Sequence, residues 1–438
     1  MPRYLLVAGV DFGTSFTKVV LRDNNTPGSN AVVVTFPGHA DGLLPSLVGI
    51  GRDCLTPPAA LGESAKVPYL KMLAAHVANG EPLNATHVRI PAALDALRRS
   101  RSDAEVVREL LAFYFAHVMA ATEDFIRSRS PWRDFDFTPG SQDDFLIYQL
   151  AVPTGLLADD GATERLFRDA FIAAHELRQG MDATMQTATP TPLWAERVAD
   201  VFTSNRAELE SRFEWQCLLY PEAAAAVQTV FRSPNARDGL YMTMDVGAGT
   251  VDLNAFHRFT GHHQQKHAGN HPTRELKYCS AIVCPLGIQN LNDPHRAVQC
   301  RDERELMEEL KANLHQLYLR AQEYQPNLHL PPGLRPWDKA SLFIFGGGSH
   351  HAGYRRTFRS GPDHCWIHQA EVHNLPSAQD LNHPRSVEFG RFAVAYGLSF
   401  FRPSLDHVRL PHELTPFREL YPEPVDEPPR QYGFNWDD

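Results

Sequence analysis

One stretch of the chain combines aspartates, glycines and a threonine at spacings that suit phosphate and metal chemistry. Residues 241–256 read Tyr-Met-Thr-Met-Asp-Val-Gly-Ala-Gly-Thr-Val-Asp-Leu-Asn-Ala-Phe, and the positions of interest are Asp245, Gly247, Gly249, Thr250 and Asp252. Because glycines permit positive φ and close backbone approach, the pattern predicts a β-hairpin whose turn N–H groups form a nest for phosphate. A carboxylate beside that nest suits Mg²⁺, which binds oxygen ligands and keeps several waters. Taken alone, an ordinary tight hairpin explains this stretch equally well.

The same layout occurs near the N-terminus. Residues 5–21 read Leu-Leu-Val-Ala-Gly-Val-Asp-Phe-Gly-Thr-Ser-Phe-Thr-Lys-Val-Val-Leu. The residues of interest between its two apolar runs are Asp11, Gly13, Thr14, Ser15 and Lys18. An internal repeat of this kind predicts two similar lobes, each with one phosphate-binding hairpin.

A third motif consists of a buried strand that leads into three glycines. Residues 340–349 read Ala-Ser-Leu-Phe-Ile-Phe-Gly-Gly-Gly-Ser, which puts Gly346, Gly347, Gly348 and Ser349 directly after the strand. Backbone without side chains offers a surface on which a flat group can pack. The three motifs in this order are more specific than any one of them.

In this order the motifs resemble the first phosphate, second phosphate and adenosine motifs of the actin, sugar kinase and heat-shock protein 70 superfamily of two-lobed ATPases. Within it, the chain is most similar to the ATPase domain of the heat-shock protein 70 (DnaK-type) family, in a divergent branch. Further similar segments are residues 44–48, 61–66, 71–73, 150–153, 220–226 and 393–398. The resemblance covers roughly residues 5–402.

The resemblance implies an α/β fold in which two duplicated, ribonuclease H-like lobes enclose a nucleotide cleft, the two-lobed actin-like ATPase fold. Lobe I would comprise residues 1–222, with an inserted subdomain at about 37–144. Lobe II would comprise residues 223–405, with a small subdomain at about 286–338. Residues 406–438 form an acidic, proline-rich tail that we expect to be extended and docked on the body of the protein, with docking on a partner as the alternative.

The resemblance also implies roles for individual residues around ATP or ADP. Backbone N–H groups and threonine hydroxyls of the two hairpins would hold the β- and γ-phosphates. Asp11 and Asp245 would hold Mg²⁺, largely through water, and Asp252 would orient water near the ion. Lys71 matches the catalytic lysine of the family and would neutralise charge on the transferred phosphoryl group.

Further positions complete the implied site. Lys18, an actin-like feature, is an additional candidate for phosphate contact. The loop at residues 346–349 would lie against the nucleoside. Glu308 and Lys311 have the one-turn spacing of adenine- and ribose-contacting residues in the relatives, but a solvated helix face with i,i+3 pairing explains them better.

The chain departs from the relatives in two ways. They have Glu-Pro at the start of the connecting helix, with the glutamate near the attacking water, whereas this chain has Tyr220, Pro221 and Glu222. Either Glu222 substitutes for that glutamate or hydrolysis is slow.

DnaK-type chaperones also carry a peptide-binding β-sandwich and a helical lid, and only the tail follows residue 405 here. Chaperone action by peptide clamping is therefore not expected.

Composition limits the class of protein. The chain has 438 residues, enough for two or more domains, and a formal net charge of -10, which argues against nucleic-acid binding. No apolar run is long enough to span a membrane, and we predict a cytoplasmic protein.

The six cysteines lack zinc-ligand spacing and suit a reducing compartment. The loop at His262–His271 is expected to be a mobile hairpin tip, with a transition-metal site as the alternative.

Periodicity and turn residues predict the elements that position these motifs. Strands are predicted at residues 5–10, 17–22, 31–35, 145–152 and 274–285. Helices are predicted at residues 103–127, 163–177, 193–202, 204–213, 220–230, 301–319 and 388–401. Asp103 is the expected N-cap of the first helix, and His117 on that helix is interpreted as structural. Pro221 is expected at the first position of the helix at 220–230.

The combined prediction is an ATP-binding protein with weak Mg²⁺-dependent ATPase activity that acts as a conformational switch for a protein partner. A small-molecule kinase of the sugar-kinase type is one alternative, although such enzymes usually lack Thr-x-Asp after the second glycine pair. An actin-like, filament-forming protein is the other alternative, although no surface repeat in the sequence requires it.

Overall fold

The structure is a computed structural model with a mixed α/β architecture of three sheets and surrounding helices. It describes residues 3–52, 54–62, 64–83, 92–98, 101–138, 141, 143–153, 161–181, 188–213, 215–233, 236, 238–261, 273–284, 286–288, 303–323, 341–359 and 372–410. The predicted histidine-rich loop at 262–271 and the tail beyond residue 410 lie outside these ranges.

The strands, in chain order, are β1 (Tyr4–Phe12), β2 (Phe16–Asp23), β3 (Ala31–Val33), β4 (Leu44–Pro45), β5 (Val48–Ile50), β6 (Cys54–Thr56), β7 (Ala65–Val67), β8 (Asp144–Val152), β9 (Thr189–Pro190), β10 (Cys217–Pro221), β11 (Gly239–Val246), β12 (Val251–Gly261), β13 (Thr273–Cys284), β14 (Ser341–Phe345), β15 (Val372–Asn374), β16 (Leu381–Asn382) and β17 (His407–Arg409).

The α-helices are α1 (Leu70–Ala78), α2 (Ala92–Leu97), α3 (Asp103–Ser128), α4 (Ala162–Leu177), α5 (Thr191–Phe213), α6 (Glu222–Ala226), α7 (Gln228–Phe231), α8 (Glu303–Glu323), α9 (Ala352–Arg359) and α10 (Ala393–Leu398). Among the described residues, no helix is both long and apolar enough to cross a lipid bilayer.

The two large sheets are built on the same plan. In the first, the antiparallel hairpin β1–β2 lies at the centre, β8 and β10 extend it in parallel beyond β1, and β3 and then β16 extend it beyond β2. In the second, the hairpin β11–β12 has β14 and β15 in parallel beyond β11, and β13 and then β17 beyond β12. Strand order and relative direction correspond throughout, with β4 as an extra partner of β2.

Helices cover both faces of these sheets because each sheet is apolar on both sides. In β1 the residues from Leu6 to Phe12 are all buried, the pattern expected for a strand covered on both faces. The capped helix α3 packs with α4 on the first sheet, and α8 packs on the second sheet through Leu310, Leu314 and Leu317. A smaller sheet in the order β7-β5-β6-β9 contributes Val48, Leu55 and Val67 to the same apolar core as the first large sheet.

Two short helices, α6 and α10, fill the space between the large sheets. They share one apolar core with residues of both hairpins, including Val20 and Phe256. After Glu222, helix α6 consists of alanines, so its backbone can approach α10 closely. The closest point is Gly397, where an added Cβ would overlap the carbonyl oxygen of Ala225.

The predicted strands are confirmed to within a few residues, as are the helices at 163–177 and 301–319. The two predicted helices at 193–202 and 204–213 form one continuous helix, α5. Arg165 and Arg168 of α4 are exposed.

Two helix starts were predicted wrongly. The N-cap of α3 is Ser102, not Asp103, because Ser102 and Glu105 form a reciprocal capping box. Pro221 is not the first residue of a helix: β10 continues through it beside β8, and α6 begins at Glu222.

The predicted helix at 388–401 is mostly replaced by tighter turns. Only Ala393–Leu398 is α-helical, and the segments Phe389–Arg391 and Arg402–Ser404 are 3-10 turns. Gly390 and Pro403 weaken an α-helix at these two ends.

Substitution of Gly397 by alanine tests the close approach of α6 and α10. The added Cβ meets backbone, which cannot rotate away, so we expect a loss of about 1–3 kcal/mol in the free energy of unfolding. Urea unfolding followed by circular dichroism measures the change. Gly390→Ala is the matched control, since a Cβ there has no heavy atom within 4 Å in the described structure. Equal stability of the two variants would contradict the proposed packing.

Candidate functional site

The turns of the two central hairpins face one cavity of about 200 Å³. Most of the residues singled out in the sequence line it, although they come from five separate segments. These residues are Asp11, Gly13, Thr14, Ser15, Lys18, Lys71, Glu222, Asp245, Gly247, Thr250, Asp252, Gly346 and Gly347.

Both hairpin turns are closed by the same hydrogen bond. The Gly13 N–H donates to the Phe16 carbonyl at 3.2 Å, and the Gly247 N–H donates to the Thr250 carbonyl at 2.9 Å. A Cβ on either glycine would lie within 3 Å of that carbonyl oxygen, at 2.7 Å for Gly13 and 2.9 Å for Gly247. Glycine is therefore required sterically at both positions, although neither Gly13 nor Gly247 has the positive φ that the sequence pattern had suggested as the reason.

The two hairpins differ in the charge that faces the first aspartate. In the first hairpin Asp11 is opposite Lys18, and the Lys18 ammonium donates to the Asp11 carboxylate at 2.7 Å. At the corresponding position in the second hairpin, Asp245 is opposite Asp252. The repeat thus gives a neutral pair on one side of the cavity and two carboxylates on the other.

Glu222 joins these two carboxylates to form an acidic cluster. It is the first residue of α6, and one carboxylate oxygen from each of Glu222, Asp245 and Asp252 lies within 4.8 Å of the others. Burial and the charge of Glu222 raise the pKa of Asp252 to about 7. Burial, together with the charges of Glu222, Asp252 and Asp11, holds the pKa of Asp245 well above its ordinary range. The cluster therefore favours uptake of positive charge, as protons or as a cation.

A buried lysine offsets part of this charge. Lys71, on α1, is 7% exposed and donates to Glu222 at 2.7 Å. Burial lowers the pKa of the Lys71 ammonium, but the charges of Glu222, Asp252 and Asp11 outweigh burial and raise it, so the ammonium stays charged. The N-cap of α1, Tyr69, has a left-handed backbone with φ of 60°. Such a conformation is uncommon for a tyrosine and is typical of residues that hold a functional segment in place.

The cluster fits a divalent cation. The Asp252 Oδ1 atom is buried and has no hydrogen-bond partner within the described structure, so it is available as a ligand. Carboxylate oxygens are the ligands that Mg²⁺ prefers, and a 2+ charge would relieve the repulsion that raises the pKa values of Asp245 and Asp252. Of the two predicted metal residues, Asp245 belongs to the cluster, whereas Asp11 is paired with Lys18.

Three predicted residues lie behind the cavity wall. A Cβ on Gly249 would lie 3.0 Å from the Met72 sulfur, and one on Gly348 would lie 2.6 Å from Val246. Ser349 is buried. Gly346 does line the cavity, with φ of 87°, and a Cβ there would overlap the Asp245 carboxylate. The third motif thus supports the position of Asp245 as well as forming part of the wall.

Sequence reasoning missed several lining residues, among them Phe16, Ile288 and Arg391. Phe16 follows the first hairpin turn directly, so its place in the cavity could have been inferred from the hairpin. Ile288 and Arg391 lie far from the motifs in sequence, and no local pattern marks them.

Other singled-out residues lie elsewhere. Glu308 is exposed and pairs with Arg304 at 3.1 Å, which matches the solvated-face interpretation, and neither it nor Lys311 lines the cavity. Tyr220 is buried, and its hydroxyl donates to the Asp406 carbonyl at 2.9 Å. His117 is buried against the ring of Phe113 in the first core, as the structural interpretation expected.

Comparison with models of known protein families and with curated protein sequences gives no match. The site must therefore be interpreted from its own geometry and chemistry.

Substitution of Lys71 by methionine leaves Glu222 without its cation beside two other carboxylates. We expect a loss of about 3–5 kcal/mol in the free energy of unfolding, because a buried charge loses its partner. The double variant Lys71→Met/Glu222→Gln should recover much of this loss. Arg304→Met, which breaks an exposed pair with Glu308, should change stability little. Chemical denaturation at pH 7.5 gives all four values, and a double variant as unstable as Lys71→Met alone would contradict the pairing.

The raised pKa of Asp252 predicts a specific pH dependence of stability in the absence of divalent ions. The unfolded chain loses this proton near pH 3.8, whereas the folded protein keeps it up to about pH 7. The folded state therefore loses stability as pH rises from about 4 to 7. Asp252→Asn should become progressively more stable relative to the parent across this window. Melting temperatures measured in EDTA from pH 5 to 8 test this, and parallel curves for the two proteins would contradict it.

Proposed function

We propose that this protein is a two-lobed, actin-like ATPase related to the heat-shock protein 70 family, which binds ATP or ADP with Mg²⁺ and hydrolyses ATP slowly. The observation that carries the proposal is the meeting of two identically closed Asp-x-Gly turns across one cavity, beside a cluster of three carboxylates. Two glycine turns at one cavity let backbone approach a polyphosphate closely, and the carboxylates suit its metal ion.

The repeated sheet topology supports the same class. Two sheets with the same strand order and directions, each with its phosphate-type turn at the end of the central hairpin, are what duplicated ribonuclease H-like lobes require. The turns come from different sheets, so a ligand held by both would tie the two sheets together. Such a ligand can act as a conformational switch because its affinity depends on how closely the turns approach.

Each cleft residue has a role in this proposal. The turn residues Thr14 and Thr250 would contact the terminal phosphates. The carboxylates of Asp245, Asp252 and Glu222 would hold the metal ion that accompanies the nucleotide. Mg²⁺ held by these carboxylates would supply charge neutralisation for phosphoryl transfer. Lys71 remains protonated and offers a second positive charge next to the reacting group.

Slow turnover follows from the environment of Glu222. This carboxylate is the nearest counterpart of the glutamate expected beside the attacking water, but it already accepts a hydrogen bond from Lys71. One of its two oxygens is therefore occupied by the Lys71 ammonium and is less available to position an attacking water. Tyr220 is turned away towards Asp406 and contributes no acid or base to the cavity.

We further propose a cytoplasmic protein whose nucleotide-dependent change in shape is recognised by a protein partner. The described cysteines, Cys54, Cys217, Cys279 and Cys284, are free thiols, as is usual in a reducing compartment. The partner is inferred from the proposed switch alone. An enzyme that converts a metabolite needs fast turnover, whereas a protein that signals through its nucleotide-bound shape can hydrolyse ATP slowly.

Binding of ATP and ADP to the purified protein tests the proposal directly. We expect Mg²⁺-dependent binding and slow phosphate release, and we expect Asp245→Asn to weaken binding at least about tenfold, equivalent to 1.4 kcal/mol. Isothermal titration calorimetry and a phosphate-release assay give the two quantities. Asp124→Asn, which removes an exposed carboxylate on α3, is the matched control and should behave as the parent.

The same preparations separate the alternatives. ADP release that appears only with an added sugar or other metabolite would indicate a small-molecule kinase. Sedimentation of the protein with ATP but not with ADP would indicate a filament. Absence of any nucleotide binding in the parent would overturn the proposal as a whole.

A further inference from the structure

One cation of the cavity wall is explained by none of the three motifs. Arg391 ends the 3-10 turn Phe389–Arg391 that precedes α10, and its side chain is part of the lining. It is far in sequence from both hairpins. Its place in the cavity results from the return of the C-terminal segment to the first sheet, where β16 pairs with β3.

Arg391 differs from the other two cations of the wall in its charge balance. Lys18 is neutralised by Asp11, and Lys71 by Glu222, each at 2.7 Å. Arg391 makes no ion pair with any residue in the described part of the chain, although the wall contains four carboxylates. Its positive charge is therefore not used to balance the acidic cluster.

The surroundings of Arg391 hold the guanidinium in a defined place. Its central carbon lies 5.6 Å from the centroid of the Phe16 ring, within reach of a cation–π contact. On the other side lies Gly347, where a Cβ would be 3.7 Å from the Arg391 Nε atom. The guanidinium thus spans the gap between the first hairpin turn and the glycine loop of the third motif, and Gly347 leaves room beside it.

The chemistry of this position suits an oxyanion that accepts two hydrogen bonds. A guanidinium has five N–H donors in a planar fork, keeps its charge at all relevant pH values and matches a phosphate group in bidentate geometry. In the proposed arrangement, the turns hold the terminal phosphates and the glycine loop adjoins the nucleoside. A group between these two regions lies next to the phosphates nearest the ribose.

We propose that Arg391 is a phosphate-positioning residue that binds the diphosphate portion of the bound nucleotide and makes the site selective for nucleotides over nucleosides. This inference rests on the proposed function and adds to it a residue outside the three motifs. The Phe16 ring orients the guanidinium before the ligand arrives, so little side-chain entropy is lost on binding.

Comparison of ADP with adenosine tests the role of Arg391. With Mg²⁺ present, Arg391→Gln should weaken ADP binding by about 10- to 100-fold, the range for hydrogen bonds to a charged group, and leave adenosine binding unchanged. Arg391→Lys should give an intermediate loss for ADP, because the charge remains but the fork is lost. Titration calorimetry with the full chain provides both affinities.

Arg385→Gln is the matched control, since it removes an exposed arginine six residues earlier that does not line the cavity. If the parent binds neither ligand, the proposed function fails and this inference with it. If the parent binds ADP and Arg391→Gln binds it equally well, only the inference fails. Equal weakening of ADP and adenosine would mean that Arg391 contacts the nucleoside or supports the fold, and the phosphate role would be overturned.

Discussion

Repulsion between carboxylates around one cavity determines how the rest of the site is built. Two like charges 4 Å apart repel by about 4 kcal/mol at an effective dielectric constant of 20, so four carboxylates cannot share a wall without compensation. Lys18 and Lys71 each neutralise one of them. Asp245 and Asp252 form no ion pair with a described residue, and burial together with the neighbouring carboxylates raises their pKa values. The site is therefore incomplete electrostatically until it takes up positive charge.

The repeated sheet makes this asymmetry possible. Both hairpins have the same closing hydrogen bond, the same need for glycine and the same neighbouring strands. The residue opposite the first aspartate differs in charge, Lys18 in one hairpin and Asp252 in the other. This difference at equivalent positions gives a neutral ion pair on one side of the cavity and two carboxylates on the other. A duplicated scaffold can acquire two different chemical functions in this way, since folding constrains the turns and leaves the facing side chains free to vary.

Local sequence predicted the parts of this protein that local physics determines. Glycine spacing and alternating apolar residues located both hairpins, and most of the residues named from them line one cavity. Contacts between distant segments could not be predicted: Lys71 and Glu222 are 151 positions apart, and nothing near either residue indicates the other. Arg391 was missed for the same reason. Helix boundaries failed where packing overrode propensity, as at Pro221, which stays in a strand because β8 pairs with it.

The first sheet is not complete until the end of the chain returns to it. Arg22 in β2 binds Asp380, which is 358 positions later, and α10 packs on the same sheet. At roughly 5–20 residues per second, a ribosome needs tens of seconds to deliver the missing pieces after the first hairpin emerges. During that interval β3 has a free edge and the apolar face that α10 will cover is open to solvent, a combination that promotes association between chains. The earliest sheet to be synthesised is thus among the last to be finished.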